Sequence, residues 1–268
     1  MSESPSSARI AALLRPAARS IEVQVVEETG STNADVLAAL PRLSGPVLLI
    51  AKTQTAGRGR AGRTWHSLPG QSLTFSLAWK FQRPLQALLG LPLAVGVALA
   101  EALAVFQIEV ALKWPNDVLY NGKKLAGVLI ESARAQQEPY PASWAVIGVG
   151  VNLRLDDAML AQIGSPATGI ALLADLDRDM LYATLISSLA ETLVRFEHEG
   201  LAAFVTRWNA LDAYRGQAVR ILDAGQVRHE GIAAGIDDSG RFQLDTAQGK
   251  IAVMAGDVSL RPAAGGAT

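Results

Sequence analysis

Between residues 21 and 152 apolar side chains recur with a period of two in short runs, and glycine, proline, asparagine or aspartate punctuates the runs. Successive side chains of a strand face opposite ways, so this rhythm predicts a sheet of many short strands rather than a helical bundle. Ile21, Val23 and Val25 alternate with polar residues as a first strand, closed by Gly30-Ser31-Thr32-Asn33, which supplies a turn and helix-capping side chains. A short helix through Val36, Leu37 and Leu40 follows, then strands over 46–51 and 72–79 with a glycine-rich loop, Gln54 to Trp65, between them. Glu109 to Lys113 and Val118 to Tyr120 form strand pieces around Trp114-Pro115-Asn116-Asp117, and Asn121-Gly122 is a two-residue hairpin turn. Leu125 to Glu131 and Ser143 to Asn152 are further strands, and Gly148 and Gly150 within the last predict close approach by another group.

Helical stretches interrupt this pattern. The long apolar run Leu85 to Phe106 contains Gln86, Pro92 and Glu101. A membrane span needs about 20 apolar residues with few interruptions, so a buried helix is expected there. Asp179 to Glu199 has helical period, with Leu181, Leu185, Leu189 and Val194 on a recurring face. Near Arg215-Gly216 the texture changes to short strands, Ala218 to Leu222, Val227 to Ile236, Arg241 to Leu244 and Ile251 to Met254, separated by Asp238-Ser239-Gly240 and Gln248-Gly249. The expected fold class is α+β: a mixed-sheet α/β domain over 21–214, its faces unequally covered, then a small SH3-like β-barrel over 215–262. Residues 1–20 are expected to be a partly disordered lead and 263–268 a tail.

Half of the 268 residues are apolar, enough for one large and one small core. Twenty-four basic against 25 acidic residues leave a formal charge of -1, no footprint for duplex DNA or an anionic membrane, so any nucleotide site must be local. The absence of cysteine removes disulfides, thiolate metal sites and thiol nucleophiles. No apolar segment of secretory type opens the chain, and a cytoplasmic location is expected.

Two segments concentrate chemistry. Gly57-Arg58-Gly59-Arg60-Ala61-Gly62-Arg63 sets guanidiniums among glycines, and such a loop suits phosphate oxygens, although a solvated surface turn has the same composition. Lys113-Trp114-Pro115-Asn116-Asp117 packs a lysine, an amide and a carboxylate around a proline-stiffened turn, which suits either a site or a strand end with Trp114 in the core. Lys124, followed by Leu125-Ala126-Gly127, has room beside a buried strand.

In chain order, Ser31-Thr32-Asn33, the run Gln54 to Trp65, Lys113 to Asp117, Lys124 to Glu131 and Gly148-Val149-Gly150-Val151-Asn152 resemble the biotin protein ligase family over roughly Val25 to Arg261. The resemblance implies a catalytic domain of class II synthetase-like type that makes biotinyl-5'-adenylate from biotin and ATP. Biotin then passes to a lysine of a biotin carboxyl carrier protein. Ser31, Thr32, Asn33 and Gln54 match positions lining the biotin pocket, and Arg58, Gly59 and Arg60 match the loop that folds over the ligand. Lys124 matches the lysine near the reacting carboxyl, while Arg63, Trp65, Lys113, Asn116 and Asn152 match positions around the nucleotide.

That chemistry suits these residue types. A biotin carboxylate meeting a phosphate joins two anions, which Arg58, Arg60 and Lys124 would neutralise as catalytic groups. The Gly57 to Arg63 loop is expected to be mobile until an anion orders it. Mg2+ would assist, with Asp117 either a candidate metal ligand or a partner orienting Lys124 or Lys113. Larger family members carry a winged helix-turn-helix ahead of the core, and about twenty residues before the first strand predict a ligase without repressor function, a monomer or weak homodimer that binds neither DNA nor membrane. A lipoate or octanoate ligase, or an octanoyl transferase, of the same superfamily is the nearest alternative; the missing thiol weakens the transferase and the Arg/Gly loop weakens the lipoate ligase. A non-catalytic regulator that binds biotinyl adenylate is the alternative from another class.

Overall fold

The computed structural model describes residues 4–136, 138, 140–223, 225–255 and 258–262. Helix α1 (Ser7–Leu13) leads into β1 (Glu22–Thr29), α2 (Thr32–Ala39), β2 (Val47–Gln54), β3 (Ser72–Phe81) and α3 (Leu91–Ala104). Strands β4 (Ala111–Lys113), β5 (Asp117–Tyr120), β6 (Lys123–Arg134) and β7 (Ser143–Asn152) follow. Next come α4 (Asp157–Ile163), α5 (Ala171–Asp175), α6 (Arg178–Glu199) and α7 (Ala202–Leu211). Strands β8 (Ala218–Asp223), β9 (Gln226–Ile236), β10 (Phe242–Thr246), β11 (Gly249–Val253) and β12 (Val258–Pro262) end the described chain.

The first seven strands form one mixed sheet in the order β1-β2-β3-β7-β6-β5-β4. Only β1 and β2 pair in parallel, and the other neighbours are antiparallel. Asn121 and Gly122 both have positive φ in the β5–β6 hairpin, the conformation an Asn-Gly pair provides at least cost. On β7, Ala145, Ile147, Val149 and Val151 face the main core, in which α3 and α6 lie. Alternation turns Val146, Gly148, Gly150 and Asn152 to the other face, where α2 packs over a smaller cluster around Val36, Leu49 and Val146. The two faces are therefore covered unequally, and the thinly covered one has room for a site.

The segment Leu85–Ala104 is long and apolar enough to cross a membrane, but α3 within it is buried against α6 and α7. Within the expected lead, residues 7–13 and 16–18 are helical. Ser6 caps α1 by accepting from the Arg9 backbone N–H, and Ile10, Leu14 and Ala18, four residues apart, are buried. Arg9 pairs with Asp177 at 2.7 Å and Arg15 with Glu191 at 2.8 Å, which straps this segment to α6. Its Ser, Pro and Ala content suggested disorder, whereas the four-residue apolar spacing decides the outcome. Residues 1–3 and the expected tail 263–268 lie outside the described residues.

The second sheet is antiparallel, in the order β11-β10-β9-β8-β12. Its ladder runs open from β11 to β12 among the described residues, so the strand pairing does not close the SH3-like barrel expected from the sequence. This sheet shares the main core of the first domain. Trp114, 1% exposed, donates its indole N–H to the Gly240 carbonyl at 3.2 Å and packs on Phe242 with ring centroids 5.4 Å apart. Asn209 of α7 bonds both the carbonyl and the N–H of Ile236. Trp114→Ala would empty this junction and should cost about 3–5 kcal/mol of unfolding free energy. Because the core is continuous, urea melts followed by fluorescence and by circular dichroism should shift together.

Candidate functional site

A cavity of about 690 Å³ opens on the thinly covered face of the large sheet. Every residue singled out from the sequence lines it: Ser31, Thr32, Asn33, Gln54, Arg58, Gly59, Arg60, Arg63, Trp65, Lys113, Asn116, Asp117, Lys124 and Asn152. Strand register brings them together. Gly150 of β7 stands opposite Thr74 and Gly127, and Gly148 opposite Ser76, so small residues meet across neighbouring strands and leave a trough. A Cβ on Gly150 would lie 2.2 Å from the Trp65 indole, and one on Gly148 would lie 2.3 Å from Asn33 Oδ1. The close approach expected at these glycines is made by the chain's own Trp65 and Asn33.

One end of the cavity is neutral, polar and buried. Ser31, Thr32 and Asn33 are 3–6% exposed. Gln54 Oε1 accepts from the Thr32 backbone N–H at 2.8 Å, and the Ser76 hydroxyl donates to Asn33 Oδ1 at 2.5 Å. The Asn33 amide donates to the Leu129 carbonyl and to Glu131, both on β6. These bonds hold each carboxamide in one orientation, as recognition of a small polar ring requires.

The other end is cationic. Lys124 Nζ lies 2.6 Å from Asp117 Oδ1 and 5.7 Å from the centroid of the Trp65 ring. Its backbone is fixed by a bond from its N–H to the Pro166 carbonyl and by bonds to its own carbonyl from Thr168 and Asn152. Arg60 donates to Asn116 Oδ1 at 3.2 Å, and Asn116 donates to the Val128 carbonyl at 2.6 Å. Asp117 is engaged by Lys124 and, at 3.9 Å, by Lys113, the arrangement of a carboxylate that orients lysines. Among the described residues no cluster of three or more His, Cys, Asp or Glu could hold a metal, so the side chains present do not form a cation cage.

Burial pulls the Lys113 ammonium down from 10.5 to about 8, the nearby charges of Arg261, Lys124 and Arg63 add to the shift, and Asp117 opposes it. Between about 8 and 10.5 the unfolded chain therefore binds the proton that folded Lys113 has lost. The stability penalty from this group is full below about 8 and fades as pH rises to 10.5.

The glycine-arginine loop is a tight hairpin. Gly59 N–H donates to the Arg63 carbonyl at 2.6 Å, Trp65 N–H to the Gly57 carbonyl at 2.9 Å, and a Cβ on Gly57 would meet the Trp65 carbonyl at 2.4 Å. Arg58 reaches Glu131 at 2.9 Å. The Trp65 indole N–H is buried without a hydrogen-bond partner among the described residues.

Ser76, Glu131, Tyr214 and Arg261 escaped the sequence reading. Ser76 is identifiable only through its register opposite Gly148, and Glu131 ends a motif whose lysine drew the attention. Tyr214 and Arg261 bring the second sheet and its approach to the cavity wall, and Arg261 lies on β12, a strand not anticipated. Gly150→Ala should displace the Trp65 indole, lower stability by about 1–3 kcal/mol and red-shift the indole emission of the folded protein. Unchanged emission in the folded variant would contradict the contact.

The chain matches the model of the biotin/lipoate A/B protein ligase family over residues 24–152 and that of the biotin protein ligase C-terminal domain over residues 215–261. It is 36% identical to the bifunctional ligase/repressor of Escherichia coli, over 90% of this chain and 74% of that protein. It is also 36% identical to the biotin--[acetyl-CoA-carboxylase] ligase of Mycobacterium tuberculosis, over 88% of both chains. Among solved structures, the biotin protein ligase of Aquifex aeolicus in complex with biotin and ATP superposes with a TM-score of 0.72 at 28% identity, over 90% of this chain and 99% of that one.

Proposed function

As the chain belongs to the biotin protein ligase family, we propose that it activates biotin with ATP in this cavity and transfers the biotinyl group to a lysine of a biotin carboxyl carrier protein or domain. The observation that carries this reading is the polarity of the single cavity: a buried neutral end of fixed amides and hydroxyls, and a cationic end assembled from Arg60, Lys113 and Lys124. A bicyclic ureido ring suits the first, and a carboxylate meeting a triphosphate suits the second.

In the first step a biotin carboxylate oxygen attacks the α-phosphorus, the bond to the bridging oxygen breaks, and pyrophosphate leaves. Ser31, Thr32, Asn33 and Gln54 hold the ring, so the carboxylate is delivered toward Lys124. Its ammonium, aimed by Asp117 at 2.6 Å, neutralises charge as the two anions converge. Arg58 and Arg60 face the same charge from the loop. Lys113, Arg63, Trp65, Asn116 and Asn152 form the nucleotide's surroundings, and the buried Trp65 N–H is an open donor toward it. In the second step the acceptor amine attacks the anhydride carbonyl, AMP departs, and the amine's proton is lost to solvent. No covalent enzyme intermediate is required, in keeping with a chain without cysteine. Mg2+, if used, would come with the ATP rather than be held by a cage of side chains, and no step above depends on a metal ligand from Asp117.

Lys124→Ala should slow single-turnover adenylate formation about a hundredfold while biotin affinity changes less, since an aimed charge matters most where charge develops. If Lys124 only ties down Asp117, the variant will lose stability and keep its rate. Apparent ATP affinity should also fall as Lys113 deprotonates above about pH 8, and Lys113→Arg should abolish that fall. Titrations of ATP into both proteins between pH 7 and 9 check it.

A further inference from the structure

Glu131 is engaged by both halves of the site, and no role has yet been given to it. Its Oε2 accepts from Arg58 Nη2 and from Asn33 Nδ2, each at 2.9 Å. One oxygen thus joins the loop that carries the anion-binding guanidiniums to the amide on α2 that faces the neutral end. The Asn33 side is fully specified, because its second donor contact goes to the Leu129 carbonyl and its oxygen accepts from Ser76. Gly148 makes room for the amide, since a Cβ there would lie 2.3 Å from Asn33 Oδ1. The Arg58 side is looser, with 45% of that side chain exposed against 29% of Glu131.

We propose that Glu131 is a positioning residue that, through Arg58, registers the Gly57–Arg63 loop against the ring-binding pocket in the ligand-free protein. Asn33 fixes where Glu131 stands, Glu131 fixes where Arg58 stands, and the loop hairpin, closed by Gly57–Trp65 and Gly59–Arg63 bonds, carries Arg60 and Arg63 with it. The inference rests on the reading of the cavity as a biotin and ATP site. Its measurable consequence in the ligand-free protein does not.

Two substitutions separate the branches. Glu131→Gln keeps an oxygen for Asn33 and removes the charge that attracts Arg58, whereas Glu131→Ala removes both contacts. For a half-exposed pair the loss is modest, so Glu131→Gln should speed amide exchange of Gly59 and Trp65 in the ligand-free protein roughly threefold and raise the KM for biotin by a similar factor, with kcat little changed. In Glu131→Ala the Asn33 donor loses a charged acceptor as well, and the KM for biotin should rise about tenfold or more. Combining Glu131→Gln with Arg58→Gln should add nothing to loop exchange beyond Arg58→Gln alone, since both remove one contact. Unchanged loop exchange in Glu131→Gln, or an additive double variant, overturns the proposal. The premise is tested separately: wild-type protein that makes no biotinyl adenylate refutes the ligase reading while the exchange data still decide whether Glu131 holds the loop.

Discussion

The site depends on empty space on one face of β7. Gly148 and Gly150 lack the Cβ atoms that would strike Asn33 and Trp65, and strand register sets them beside Ser76, Thr74 and Gly127. A sheet face normally spends its side chains on covering itself. Here the face is lowered over a short stretch, and two residues from elsewhere in the chain, Asn33 of α2 and Trp65 of the arginine loop, lie in the depression. Asn33 marks the neutral end, and Trp65 anchors the loop of arginines. The polarity of the cavity follows from which of the two fills which glycine.

The large core on the opposite face makes this depression affordable. With Ala145, Ile147, Val149 and Val151 buried in the main core that also takes in α3 and α6, β7 is held from behind, and its other face is free to give up packing. The same division explains why the Asn33 and Asn116 amides can be buried there: neighbouring strands supply their partners, Leu129 and Glu131 from β6 and Ser76 from β3 for Asn33, and Val128 from β6 for Asn116. Desolvated polar groups are costly when unpaired, and pairing across strands is what this face provides in place of apolar contact.

Much of this was legible in the amino-acid order, because period-two runs and Asn-Gly punctuation are local signals. The limits of β7 agree with those expected, and the Lys113 to Asp117 and Lys124 segments meet where a single cavity needs them. What escaped depends on information that is not local. Helix α1 rests on the spacing of Ile10, Leu14 and Ala18 against a helix far along the chain, and α7 on the pair Phe204 and Trp208 beneath the second sheet. The barrel was expected from short strands punctuated by turns, yet among the described residues the ladder is open, since closure depends on how the outermost strands meet, which local signals do not show. Ser76 and Glu131 carry ordinary side chains whose importance is created by register.

The strand that brings Arg261 to the cavity is the last one described, while Ser31 to Asn33 lie near the first. During synthesis from the N-terminus, the ring pocket, the arginine loop and Lys124 all leave the ribosome well before this wall does. A nascent chain therefore carries the parts that gather ligands before it carries the part that encloses them. Enclosure arrives as one late event, when β12 pairs with β8. The order of the elements thus separates gathering from shelter: the groups that hold ligands precede, in the chain, the strand whose pairing with β8 brings Arg261 to the cavity wall.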